Sequence, residues 1–425
     1  SRLPASVRGR EPWRAMLRVR RRLLAPRAAS AASALRGGGR GLAGKEPECG
    51  LDAGLRQEVG SLLRPVLALG DPALASRALS KALAEQGRQR RWQVALGLLA
   101  AARRHPSCEA GVVAYNAAIG ACKAAARWQH AMSVFDDMRS ERMQPDVVTY
   151  STLVSASNKG GEWKIALSWF EMLMLQNFAP STIAFSAAIT ACEFGRRWAG
   201  ALDLLGWARL AKVAPDIVMI SAVISACEKG ARWQSALALL LEARGEKATQ
   251  PNLIAYNAAL SACEKGRQWR QALGLLTDVI AQQLQPDIVM FSAAVSACEK
   301  GQQWARALGL VRQIRDSQMA PDVAVFSAAI SACEKVQQWE NALALFVAAA
   351  ASDAGVNLVA YNAVLSACEK GQQWEAALAL LCQLRSEGLV RADVVTLTAV
   401  ASACAAGLRW RAALHLACGG AAAEA

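Results

Sequence analysis

Ten tryptophans recur along the chain at a spacing of 35 or 36 residues: Trp92, Trp128, Trp163, Trp198, Trp233, Trp269, Trp304, Trp339, Trp374 and Trp410. A fixed period of this length restricts the fold to a tandem array, in which each unit is one supersecondary element and stacked neighbours bury a shared core. Framed from Val112, the array has eight complete units: 112–146, 147–181, 182–216, 217–252, 253–287, 288–322, 323–357 and 358–393. A worn copy precedes them at about 76–111 and an incomplete one follows from 394 to about 418, so the array covers 76–418. Residues 46–75 are expected to be a linker or N-terminal cap, and 419–425 a tail.

One unit is enough to read the local structure. In 253–287, Tyr256, Ala259, Leu260 and Cys263 recur at i, i+3, i+4 and i+7, the mark of a helix with one apolar stripe. Lys265 suits the negative end of the helix dipole, and Gly266 is expected to take the left-handed conformation that ends the helix. A second stripe starts with Trp269, Ala272, Leu273 and Leu276, and Pro286 bars its continuation. Each unit is therefore a pair of antiparallel helices, and the fold is all-α. Alanine stands at the Ala272 position in all ten copies, where two helices are expected to approach too closely for a larger side chain.

Eight of the 12 cysteines occupy one place on the first stripe: Cys122, Cys192, Cys227, Cys263, Cys298, Cys333, Cys368 and Cys404. A repeat apart and without any C-x-x-C pair, they read as small buried hydrophobes rather than as a metal or redox set. The tryptophans, each opening an apolar stripe, read as interhelix packing rather than as a base-stacking platform.

Composition excludes several classes. At 54% apolar over 425 residues the chain can bury a large core, and it is too apolar for a disordered protein. The longest apolar run, 342–351, falls short of the roughly 18–20 residues needed to cross a bilayer, so no membrane association is expected. With only His105, His130 and His415, metal sites and histidine-dependent catalysis lack raw material. Residues 1–45 hold eleven Arg and one Lys against the single acid Glu11, which is +11 of the formal +14. This segment is expected to be a disordered organellar transit peptide, the alternative being a basic tail that binds nucleic acid non-specifically. The high net charge is therefore no sign of a basic face on the folded part. Opening on Ser1, the chain leaves further sequence at either end an open matter.

Two polar positions vary within narrow limits. The fifth residue of each frame is Asn116, Ser151, Ser186, Ser221, Asn257, Ser292, Ser327, Asn362 and Thr398. The closing residue is Asp146, Ser181, Asp216, Asn252, Asp287, Asp322, Asn357 and Asp393. An N-cap role accounts for the closing residue by itself. It does not account for a fifth position that stays among hydrogen-bonding side chains while its surroundings repeat almost unchanged, as SACEKGQQW does at 296–304 and 366–374.

The 35-residue period, the V-V-T-Y-S opening at 147–151, the A-L-x-L-L run at 272–276 and the closing Q-P-D at 144–146 and 285–287 resemble the pentatricopeptide repeat family, as a P-type array. The rival tetratricopeptide pattern, W-x2-L-G-x2-Y over 34 residues, appears in no copy. The resemblance implies a right-handed superhelical solenoid of about ten helix-turn-helix repeats that binds single-stranded RNA, one base per repeat, read on the concave face.

Carried over residue by residue, the fifth and closing residues become the base readers, from Asn116 with Asp146 to Asn362 with Asp393. The aliphatic second residues Val113, Val148, Ile183, Val218, Ile254, Val289 and Val359 sandwich the bases, with Ala324 the weakest member and Val395 in the last copy. Lys159, Lys229, Lys265, Lys300, Lys335 and Lys370 either neutralise phosphates or cap their helices. The family's pairing rule reads the complete repeats as 5′-U, undecided, G, A, U, G, A, U-3′, because Ser151 with Ser181 fits no usual pair. The chain shows neither the H-x-E and P-C-x-x-C of a zinc deaminase nor an acidic cluster for Mg²⁺. The expectation is a non-catalytic, monomeric RNA binder without cofactor or metal, working in a mitochondrion or plastid on RNA processing, stability or translation, with room for a recruited RNA-processing enzyme. The competing class is a helical scaffold that grips a protein or peptide.

Overall fold

The computed structural model describes residues 53–407 apart from 69, 70, 106, 107, 109, 177, 246–249, 353, 354 and 388–392. The basic segment 1–45, the second helix of the last copy and the tail 419–425 lie outside the described residues. Among the described residues there are twenty helices and no strand. Ahead of the complete repeats come α1 (Ala53–Leu67), α2 (Pro72–Arg88) and α3 (Trp92–Arg103). Repeat pairs follow as α4 (Val112–Ala124) with α5 (Trp128–Ser140), α6 (Val147–Lys159) with α7 (Trp163–Leu175), and α8 (Thr182–Phe194) with α9 (Trp198–Leu210). Next are α10 (Ile217–Lys229) with α11 (Trp233–Gly245), α12 (Leu253–Lys265) with α13 (Trp269–Ala281), and α14 (Ile288–Lys300) with α15 (Trp304–Asp316). The series closes with α16 (Val323–Lys335) and α17 (Trp339–Ala350), α18 (Leu358–Lys370) and α19 (Trp374–Glu387), and α20 (Val394–Ala406).

Helices α1 to α10 form one compact unit and α12 to α20 another, with α11 spanning the boundary. In the first unit, α2, α4, α6, α8 and α10 pack successively on one another, and α4, α6 and α8 each also pack on their own partners α5, α7 and α9. The second unit repeats the scheme with α12, α14, α16, α18 and α20 as the inner row and α13, α15, α17 and α19 as partners. Residues 46–75, read as linker or cap, contain α1, which packs on α2 and α3. Arg91 of the turn before α3 grips Glu58 of α1 through two bonds of 2.5 and 2.6 Å.

The inner-row helices are buried on more than one stripe. In α12 not only Tyr256, Ala259, Leu260 and Cys263 but also Ala255, Ala258 and Ala262 are buried, because the helix carries a neighbouring inner helix on its flank as well as α13. Small residues on those flanks let the inner helices approach. Among the described copies, the repeated alanine at the Ala272 position is buried from Ala95 through Ala377. Each fully buried Leu, Ile, Phe or Val of this core is worth roughly 1.5–3 kcal/mol.

One expectation about the turn is corrected. Gly266 does not take the left-handed conformation: its φ is −80°, and the next residue, Arg267, carries φ +55°. Glycine is needed there for space. A Cβ on Gly266 would sit 2.8 Å from Trp233 Cγ, and one on Gly301 would lie 2.9 Å from Trp269 Cγ and 3.1 Å from its Cβ. The repeat tryptophan therefore packs forward, over the end of the next repeat's first helix, and stacks repeats on one another rather than only closing its own hairpin.

The cysteine reading agrees with the structure. All eight repeat cysteines are buried. Burial pushes the thiols of Cys192 and Cys263 up to about 12, and those of Cys298, Cys333 and Cys368 up to about 11. Since the thiolate is the reactive form, these groups are expected to resist a thiol reagent in the native protein. Of the ten described cysteines only Cys382 is exposed, and it should be labelled first. Rapid labelling of Cys263 peptides in the folded protein would contradict this packing.

Candidate nucleic-acid interface

Each closing residue does what an N-cap must. Asp146, Asp216, Asn252, Asp287, Asp322, Asn357 and Asp393 accept the backbone N–H three residues on through Oδ1 at 2.7–2.9 Å, and Ser181 does so through Oγ at 3.3 Å. Capping sets the closing side chain at the start of its inner helix, and in four repeats it thereby meets the fifth residue of the inner helix before it. Residues 30 or 31 apart in sequence thus become hydrogen-bonded neighbours. Asn116 Nδ2 donates to Asp146 at 3.1 Å, Asn257 Nδ2 to Asp287 at 3.0 Å, and Asn362 Nδ2 to Asp393 at 3.4 Å. Ser327 Oγ lies 3.1 Å from Asn357 Oδ1. The division of labour is clear at Asp287, where Oδ1 caps α14 and Oδ2 receives the asparagine.

The carboxylates of two pairs are held in their charged form. Burial alone would raise Asp146, but hydrogen bonds from Thr149 and Asn116 outweigh it and hold the carboxyl below the usual range. Asp393 is lowered by the hydroxyl and N–H of Thr396 and by Asn362. Both carboxylates contribute stability above about pH 4 that is lost as pH falls through their lowered folded values. Asn116, Ser186, Asn257, Ser292 and Asn362 are half-buried, whereas Ser151, Ser221 and Ser327 are nearly covered. Serine hydroxyls turn back on their own helices: Ser151 donates to Val148 O at 3.0 Å, Ser186 to Ile183 O at 3.1 Å, and Ser221 to Ile217 O at 2.7 Å. Their oxygen lone pairs are left to accept from elsewhere.

In each unit the second residues are exposed aliphatic side chains. Val113, Val148, Ile183, Val218, Ile254, Val289 and Val359 are 55–67% exposed, an unusual placement for residues that a core would bury. Each precedes its fifth residue by three positions, so the two share a helix face.

The lysines sit elsewhere. They end the inner helices, eight residues beyond the fifth position and so about 12 Å along the helix axis. Four are engaged across repeats: Lys229 with Glu193, Lys300 with Glu264 and Lys335 with Glu299 at 2.8 Å, and Lys370 with Glu334 at 3.0 Å. The acid that meets each lysine belongs to the preceding repeat, not to the adjacent Glu in sequence. In the second unit Lys265, Arg267, Lys300 and Lys335, with Glu299 and Gln302, line an open groove of about 600 Å³.

Sequence reasoning missed Thr149 and Thr396. Both are buried, and their hydroxyls lie 2.7 Å from the carboxamide oxygens of Asn116 and Asn362. A hydroxyl three residues after an Asp N-cap is a capping-box signal that could have marked them. Among the described residues no cluster of three or more His, Cys, Asp or Glu could hold a metal ion, and no helix is long and apolar enough to cross a membrane.

Parts of the chain match known repeat families. A model of the PPR repeat family matches residues 110–159, one of the pentatricopeptide repeat domain matches 274–335, and one of the PPR repeat matches 148–178 and 359–389. No curated protein gives a match. The fold is similar to that of PPR10 solved in complex with an 18-nt psaJ RNA element, at 16% identity and a TM-score of 0.55, covering 80% of this chain and 54% of that one. A cysteine-to-serine variant of the same complex matches with the same values. PPR10 from maize matches at 17% identity over 92% of this chain and 71% of that one, with a TM-score of 0.39. The chain thus spans about half the length of the RNA-bound structures that it matches. The matched segments are pentatricopeptide repeats, and the fold is that of stacked helical hairpins.

Proposed function

We propose that the array binds single-stranded RNA sequence-specifically, one base per repeat, and acts on organellar transcripts in their processing, stability or translation. The observation that carries this reading is the pairing of fifth and closing residues, hydrogen-bonded in four repeats at the junction of successive inner helices, on a helix face that also carries an exposed aliphatic side chain. Such a junction offers what an unstacked base needs: apolar contact on its faces and a small set of donors and acceptors at its edge. The set differs from repeat to repeat while the scaffold stays constant, which is the requirement for a code. That PPR10 has been solved with RNA supports the choice of ligand.

The reading assigns the bases as U, undecided, G, A, U, G, A, U from the repeat at 112 onward, with the carboxamide–carboxylate pairs taking U. Lys159, Lys229, Lys265, Lys300, Lys335 and Lys370 serve phosphates. Exposed ion pairs are worth at most about 1 kcal/mol, so exchanging a glutamate for a phosphate costs little. With most of these cations already facing a glutamate, the affinity for random RNA is modest and its dependence on salt shallow. The array is a binder that works as a monomer and leaves chemistry to a recruited enzyme; the segment 1–45 directs it to a mitochondrion or plastid.

The test is binding of the full chain to an RNA carrying UNGAUGAU and to RNAs with the same bases permuted, at two salt concentrations. The matched RNA should bind at least about tenfold more tightly than permuted ones, given roughly 1–3 kcal/mol per well-read base. Equal affinity for all of them would remove the code and leave a scaffold for proteins as the better account.

A further inference from the structure

Three complete repeats carry an Asn–Asp pair, and they are not equivalent. Behind Asn116 and Asn362 the third residue of the next inner helix is threonine, Thr149 or Thr396, fully buried, with its hydroxyl against the carboxamide oxygen. Behind Asn257 the same place holds Met290, and Asn257 Oδ1 is buried with no hydrogen-bond partner. After the five complete repeats whose fifth residue is serine, that place is Ala, Met or Val, so threonine stands there only behind asparagine.

Proton counting shows what the threonine does. Thr149 Oγ1 is within reach of both Asn116 Oδ1, at 2.7 Å, and Asp146 Oδ1, at 2.8 Å, and it has one proton to give. Asp146 Oδ1 already accepts from the Thr149 N–H and from Asn116 Nδ2. Only a proton directed to Asn116 leaves every group satisfied, and Asp146 N–H in turn donates to the Thr149 oxygen at 3.2 Å. The asparagine is then held at both ends, its nitrogen by the carboxylate and its oxygen by the hydroxyl. Thr396 Oγ1 likewise lies 2.7 Å from Asn362 Oδ1 and 2.6 Å from Asp393 Oδ1, while Asn362 Nδ2 donates to the other carboxylate oxygen, Oδ2, at 3.4 Å. Asn257 is held by its nitrogen alone.

We propose that the third residue of the following inner helix is a specificity-determining residue, which locks the carboxamide of Asn116 and Asn362 at both ends and leaves that of Asn257 held at one, so that it turns more readily. A carboxamide turned over exchanges its donor and acceptor ends. Uracil and cytosine differ by that same exchange at N3 and the C4 substituent, so a locked amide favours one pyrimidine and an unlocked one serves both. Turning Asn257 breaks one hydrogen bond, that of its nitrogen with Asp287, whereas turning Asn116 or Asn362 breaks bonds at both ends. Discrimination of U from C is therefore sharper at the first and eighth bases than at the fifth. This rests on the reading that these pairs face pyrimidines.

The test measures affinities of the full chain for the matched RNA and for single U-to-C changes at bases one, five and eight. Met290→Thr should raise the U-to-C ratio at base five by about fivefold, the size of one hydrogen bond, with base one unchanged. Thr149→Val should lower the ratio at base one by a similar factor, while Thr149→Ser, which keeps the hydroxyl, should preserve it. A merely structural role for Thr149 would weaken all bases alike and leave the ratios alone. Unchanged ratios in both Met290→Thr and Thr149→Val overturn the proposal, provided that Asn257→Ser with Asp287→Asn still redirects base five. If that exchange also does nothing, the base-reading assignment itself fails and takes this one with it.

Discussion

Exchanging Asn257 for Ser and Asp287 for Asn together should move the preferred fifth base from U to A and leave the other positions as they are. The double change rebuilds a pair that the chain already contains, since Ser327 and Asn357 sit in the same register with Oγ and Oδ1 3.1 Å apart. It keeps the helix start intact, because Asn252 and Asn357 cap their helices at 2.9 Å as Asp287 does. Stability should thus change by a few tenths of a kcal/mol, as between good N-caps. What changes is the set of groups turned to the base: a carboxamide and a carboxylate give way to a hydroxyl and a carboxamide, and the smaller side chain leaves room for a purine. Hydrogen bonding to the edge of a base discriminates by about 1–3 kcal/mol, so the preference should shift by at least about tenfold. The measurement is affinity for four RNAs that differ only at base five; a preference that stays on U would refute the assignment of both residues.

Gly301→Ala should destabilise the second unit by about 1–3 kcal/mol, a far larger loss than a helix-end alanine normally causes. Backbone conformation is not the reason, since φ −90° and ψ 2° suit alanine well. The new methyl would lie 2.9 Å from Trp269 Cγ and 3.1 Å from Trp269 Cβ. Rotating the indole clears the ring but not its Cβ, which is tied to α13, so the repeats must part slightly. Two complete repeats already lack the glycine, and both are adjusted. Ala125 is the equivalent in the first complete repeat, and there Trp92 rests against His130 with ring centroids 4.5 Å apart, a histidine that no other repeat carries at that place. Val336 has φ −110°, and its N–H turns to Cys333 O, whereas Gly301 N–H reaches Ala297 O one residue further back. Val336→Gly should therefore be neutral or nearly so. Thermal melting separates the two: at roughly 2–4 °C per kcal/mol for a unit of this size, Gly301→Ala should lower Tm by several degrees. Equal melting of the two variants would mean that the tryptophan does not enforce the glycine.

Much of this is legible in the residues. The tryptophan period, the i, i+3, i+4, i+7 stripe through Tyr256 and Cys263, and the closing Q-P-D each concern neighbours within one hairpin, where spacing along the chain translates directly into a helix face. The buried cysteines and the small alanine at the Ala272 position follow from the same arithmetic. Gly266 is misleading because local rules associate a glycine after a lysine with a left-handed cap, and nothing local announces an indole arriving from the previous repeat. Lys300 looks available because its meeting with Glu264, a whole repeat away, is invisible from either residue alone.

The amino-acid order determined by itself that the chain is an array of helical hairpins, where each helix begins and ends, and which two polar positions vary independently of the packing. Those are properties of a period and of side-chain chemistry. The stacking of hairpins decided the rest: that Asn257 meets Asp287, that Thr149 holds Asn116 while Met290 leaves Asn257 with an empty acceptor, and that Trp269 excludes a side chain at Gly301. These meetings join residues about thirty positions apart, made or missed by tenths of an ångström, and such distances are set by how closely two inner helices can pack.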